Sequence, residues 1–182
     1  MPRILIPIES AAAETRVAAS PETLKKFIAL GCSVAVERGA GMSSGFLDET
    51  YANFGADLVA PGEAQAWGQA DILLCVQSPS PVSLSRLRRG ALVVGMLSPY
   101  GNHELAEALK GCGLSAMALE LLPRISRAQS ADVLSSQANI AGYKAVLLGA
   151  AALDRYFPML MTAAGTVPVS YTHLRAHETI PD

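Results

Sequence analysis

The stretch Arg3–Glu37, RILIPIESAAAETRVAASPETLKKFIALGCSVAVE, reads as strand, loop, helix, strand. Its first run, RILIPI (Arg3–Ile8), is apolar at consecutive positions, the pattern of a strand covered on both faces. Ser20-Pro21 supplies an N-cap and a proline at the first helical position, and Leu24, Phe27, Ile28 and Leu30 form one helical face. Gly31 gives a stop, and SVAVE (Ser33–Glu37) is the second apolar strand. A strand, a helix and a strand with no hairpin turn between them make a parallel pair.

The same alternation continues outward. The pattern predicts a short helix over Asp48–Phe54 closed by Gly55. Strands are expected at Asp71–Val76, Ala91–Gly95 and Ser115–Leu119, and a helix over His103–Lys110 capped by Asn102. The expected fold is α/β, a Rossmann/flavodoxin-like parallel sheet with helices on both faces. From Asp132 to Phe157, Leu134, Ala138, Ala141, Ala145, Leu148 and Ala152 recur at helical steps. That predicts one long helix, of the kind that bridges two domains.

Composition narrows the function. The 182 residues are 51% hydrophobic with net charge −2, so no basic footprint marks a nucleic-acid binder. The longest apolar run, Ala145–Leu153, is far too short to span a membrane, and no secretory signal opens the chain. Cys32, Cys75 and Cys112 are far apart and lie in or beside apolar runs, which suits buried free thiols in a reducing cytosol. The last fourteen residues, VSYTHLRAHETIPD, break the Ala/Gly/Leu-rich style and resemble translated adapter sequence. His173 and His177 are four apart, but no third ligand stands near them, so no metal site is expected.

Three segments could carry chemistry. ERGAGMSSGF places Gly39, Gly41 and Gly45 after a strand. The last spacing is one residue too long for a dinucleotide fingerprint, and Asp48 and Glu49 follow it, so a tight turn is expected. Arg16, in the loop after the first strand, is a solvated loop arginine, an ion-pair partner of Glu14, or a fork for a ligand carboxylate or phosphate. The third is RISRAQSADVLSSQANIAGY, residues 124–143, dense in fixed polar groups between an apolar strand and the long helix. A carboxamide needs a donor and an acceptor held side by side. Arg124 and Asp132 could be that pair, Gln129 offers both functions, and Ser135 adds a hydroxyl.

Four segments carry a resemblance: ILIPIESAAAETRVAASP, VERGAG, MALELLPRISRAQSADVLSSQANIAGYKA and FPMLMTAAGTVP. Across about residues 3–168 the chain resembles the N-terminal part of the NAD(H)-binding component of proton-translocating NAD(P) transhydrogenase, its alpha subunit. The resemblance implies two Rossmann-like domains joined by long helices, and direct hydride transfer from NADH to NADP+ held on another component. It assigns Arg124, Gln129 and Asp132 to the nicotinamide loop as catalytic and cofactor-binding residues, with Ser135 also lining the site. It further implies a homodimer and membrane-borne partner components. The place is then cytoplasmic and peripheral to the inner membrane, with no direct membrane insertion.

On this reading residues 1–135 form the alanine dehydrogenase/transhydrogenase N-terminal-type domain. Residues 136–168 form the linker helix and the start of an NAD-binding domain, and 169–182 the foreign tail. The glycine fingerprint of the second domain is expected after AAGTVP, where VSYTHLRAHETIPD stands instead. The chain is therefore expected to be truncated before the second Rossmann domain and, alone, to bind NAD(H) poorly. Alanine dehydrogenase shares the fold and the first-strand arginine, but Gln77 and Met96 stand at the places matching its lysine and histidine. A third reading, a non-catalytic dimerisation or docking module, predicts a folded, monodisperse 1–168 product.

Overall fold

The computed structural model describes residues 1–123, 125–153, 160–163 and 165–167. The chain divides into two compact units, Met1–Asp132 and Val133–Asp182.

The first unit is a six-stranded parallel sheet in the order β3-β2-β1-β4-β5-β6. Its strands are β1 (Arg3–Ile6), β2 (Ser33–Glu37), β3 (Asp57–Val59), β4 (Ile72–Gln77), β5 (Leu92–Met96) and β6 (Ser115–Ala118). The helices between them are α1 (Pro21–Ala29), α2 (Asp48–Asn53), α3 (Ala64–Gln69), α4 (Pro81–Leu84) and α5 (His103–Cys112). This is the doubly wound Rossmann arrangement, and its strand order reverses between β1 and β4.

Successive residues of a strand face opposite sides, so the two cores can be read off the strands. Leu5, Ala35, Leu73 and Val93 point to one side, where Trp67 of α3, Leu84 of α4 and Leu105 of α5 meet them. Ile4, Ile6, Val34 and Val36 point to the other, where Leu24 of α1 and Tyr51 of α2 cover them. Glu37 is the one charged residue inside among the described residues, 3% exposed. It accepts hydrogen bonds from the backbone of Ile8 (2.8 Å) and Gly62 (2.7 Å) and from Trp67 Nε1 (2.8 Å).

Several expectations shift in detail. β1 ends at Ile6, because Pro7 has no N–H for the ladder. Ser20 holds the N-cap position, but its hydroxyl meets Thr23 Oγ1 at 3.0 Å and makes no side-chain cap bond. Asn102 does cap α5, accepting from Leu105 N at 3.1 Å. The glycine loop is a turn: Gly39 and Gly45 have φ of +86° and +80°, and Asp48 Oδ1 accepts from Gly39 N at 2.8 Å. Of the three free thiols only Cys75 is buried; Cys32 and Cys112 are half-buried. Gly95 of β5 is sterically required, since a Cβ there would lie 2.5 Å from the Cys75 carbonyl. β3, α3 and α4 were not legible in the sequence pattern.

The second unit contains α6 (Val133–Ala152) and a hairpin of β7 (Leu160–Thr162) and β8 (Gly165–Val167). α6 is 20 residues long, about 30 Å. Its expected last turn, like His173 and His177, lies outside the described residues. Among the described residues no helix is long and apolar enough to cross a membrane, and no group of His, Cys, Asp or Glu could hold a metal.

Candidate functional site

In open α/β sheets ligands meet the carboxyl ends of the strands. At that edge, β6 runs into a turn at Leu119–Leu121 and then a 3-10 segment, Ser126–Ala131, ending at Asp132. The segment folds on its own backbone: Ile125 N donates to Pro123 O (2.9 Å) and Ala128 N to Ile125 O (2.9 Å). The segment lines an open cavity of about 290 Å³. Leu122, Pro123, Ile125 and Ala128 are its apolar lining residues, and Ser126, Gln129 and Asp132 its polar ones. A flat ring with one polar substituent suits such a lining: apolar contact for the ring, an amide and a carboxylate for the substituent.

Of the sequence-predicted site residues, Gln129 and Asp132 both line this cavity. Arg124 lies outside the described residues. Ser135 stands in the first turn of α6, in the second unit.

The strand-order reversal between β1 and β4 holds a second cluster. Glu14 binds Arg16 through two side-chain contacts, Nε to Oε1 (2.7 Å) and Nη2 to Oε2 (2.6 Å), and also accepts from Arg16 N (2.9 Å). Gln77 Nε2 adds a further bond to Glu14 Oε2 at 2.7 Å. The Arg16 guanidinium, with the help of Gln77, holds the Glu14 carboxyl down at about 2. Arg16 pairs with Glu14 in this structure.

Glu9 was missed in the sequence. It reaches from the β1 loop across to β4, accepting from Val76 N (2.5 Å) and Gln77 N (3.0 Å). Burial raises its carboxyl above the ordinary value, against the lowering effect of those two bonds. The available signal was an acid directly after a switch-point strand. Gln77 ends β4 as a hydrogen-bond donor, and Met96 ends β5 as a half-buried thioether.

Residues 5–141 match the family described as alanine dehydrogenase/PNT, N-terminal domain. The chain is 46% identical over 171 residues to the first part of the NAD(P) transhydrogenase alpha subunit of Rhodospirillum rubrum, covering 91% of this chain and 44% of that one. A solved structure of transhydrogenase from Sinorhizobium meliloti superposes with a TM-score of 0.84 at 48% identity, over 92% of this chain and 49% of that one. Alanine dehydrogenase of Bacillus subtilis is more distant, 33% identical over 150 residues, covering 82% of this chain and 38% of that one. The chain spans less than half the length of these relatives. Sheet order, polar loop and matched span agree: the chain belongs to the alanine dehydrogenase/PNT N-terminal domain family, with its stronger likeness to the transhydrogenase alpha subunits.

Proposed function

We propose that this chain is the N-terminal part of the NAD(H)-binding component of a proton-translocating transhydrogenase, an oxidoreductase, and that its 122–132 loop orients nicotinamide for hydride transfer. One observation carries the reading: Gln129 and Asp132, an amide and a carboxylate, line the same cavity as the apolar Leu122, Pro123, Ile125 and Ala128. In this role Gln129 and Asp132, with Arg124 and the Ser135 hydroxyl, hold the carboxamide of NAD(H). The ring is thereby fixed against a second nicotinamide, that of NADP(H) on a partner component. Hydride passes directly between the two C4 atoms once they lie about 3–3.5 Å apart. The protein contributes position and dryness; the cofactors supply the reaction.

The matched relatives are named as subunits, which supports partner components. We place the parent protein on the cytoplasmic face of the inner membrane, as a homodimer. Residues 1–182 taken by themselves, which span less than half the length of the matched relatives, are expected to bind NADH weakly. A low-micromolar dissociation constant by calorimetry would refute that part.

Saturation-transfer NMR with NADH tests the loop itself at weak affinity. Transfer is expected to the nicotinamide ring more than to the adenine, and to vanish in Gln129→Ala/Asp132→Ala. Transfer only to adenine, or none, overturns the reading. The alanine dehydrogenase alternative is disfavoured by chemistry: neither the Gln77 amide nor the Met96 thioether can hand a proton to a keto acid.

A further inference from the structure

The cluster at the strand-order reversal has no part in the ligand reading. β1 pairs with β4 only as far as Leu73, and the register of β4 on β5 shifts between Leu74 and Gln77. Past that point the N–H groups of Val76 and Gln77 donate to Glu9, one to each carboxylate oxygen. Beside them Arg16 N, Nε and Nη2 and Gln77 Nε2 all donate to Glu14. Six donors, from residues far apart in the chain, thus converge on two carboxylates.

Carboxylates this close repel each other: burial raises Glu9, and the Glu14 charge adds to it. Like charges stay together only where donors hold both. The Glu14 side chain is 5% exposed, so its contacts are made inside the fold. Successive N–H groups at a strand end and an arginine fork are what an anion site is made of. The carboxyl edge at a strand-order reversal is also where open α/β sheets bind their ligands. Here the occupants are attached to the chain.

We propose that the end of β4 is a carboxylate-binding site which the chain fills from within. Glu9 occupies the N–H pair of Val76 and Gln77, and Glu14 occupies the Arg16 fork. Glu14 is the residue that bars a free monocarboxylate from this edge of the sheet. None of these residues lines the candidate cavity, so the proposal stands apart from the nicotinamide reading.

Replacing a glutamate by alanine removes the heavy atoms of one acetate ion, so acetate is the probe. The N–H signals of the full chain are followed by NMR through an acetate titration at neutral pH, with chloride holding the ionic strength constant. In Glu14→Ala the signals of Arg16 Nε and Gln77 Nε2 should move and saturate. The dissociation constant should be about 1–10 mM, as suits so small a ligand, and about tenfold or more below that of the native chain. In Glu9→Ala the backbone signals of Val76 and Gln77 should respond in the same way. Pivalate, too broad for the vacated space, should saturate neither variant. Equally tight acetate binding by the native chain overturns the proposal, because Glu14 then bars nothing. So does a response in the variants no different from that of the native chain. Equal binding of pivalate also overturns it, since the contact is then only an ion pair at the surface. Where Glu14→Ala does not fold, Glu9→Ala decides alone at Val76 and Gln77.

Discussion

The two halves of the sheet are built from equally apolar sequence and end up differently covered. In β1 and β2 three and four successive residues are buried, so both faces are closed. In β4 and β5 burial alternates: Leu73, Cys75 and Val93 are inside, while Ile72, Leu74, Leu92, Val94 and Met96 are half-buried. On β6, Met117 is 48% exposed. A continuous apolar run therefore says that a strand can be covered twice, not that it is. The deciding information sits in the partners. α1 and α2 provide Leu24 and Tyr51 for the closed half, and α3, α4 and α5 all go to the opposite side.

The contrast can be broken by mutation. Leu73→Ala removes a fully buried side chain and should cost about 2–5 kcal/mol in urea unfolding. Val94→Ala, one residue from the matching inward position on β5, should cost about 1 kcal/mol or less. Equal losses would mean that the second face is closed in solution. Next in size is Glu37→Gln, about 1–3 kcal/mol. Its oxygens accept N–H groups on both sides, so either orientation of the amide sets an NH2 against a donor.

Acid titration sharpens the comparison at the seam between the halves. Glu14 titrates at about 2, below its ordinary 4.5. Its stabilisation is complete above pH 4.5 and is lost as pH falls through 2. Glu9 is raised, so its sign is reversed: stability declines as pH rises from 4.5 through its folded pKa. Glu14→Gln should remove the first slope and Glu9→Gln the second, read from urea midpoints between pH 2 and 7. The smallest effect is expected for Met117→Lys, within about 0.5 kcal/mol, with a gain in solubility.

Strands β1, β2, β4, β5 and β6 were legible because runs of three to five consecutive apolar residues, separated by segments of helical period, leave few alternatives. α3 was not: Ala66 and Trp67 are its only buried residues, too few for a period. β3 is three residues long and α4 four, below the reach of pattern. At the candidate site, Gln129 and Asp132 stood out by side-chain type in an otherwise apolar chain. Glu9, Glu37 and Glu120 did not. Each binds backbone N–H groups 22 to 68 residues away, so no local spacing records its task.

The close approach of β5 to β4 has a consequence for handling the protein. With Gly95 pressed on its neighbour, the Cys75 thiol is sealed in the core and pushed up to about 12 by burial and by Glu9. It is therefore silent to maleimides at neutral pH. Cys32 and Cys112, on opposite sides of the strand-order reversal, remain addressable. A thiol reagent at neutral pH is thus directed to these two half-buried positions, Cys32 packing against the Leu24–Tyr51 core, and away from Cys75.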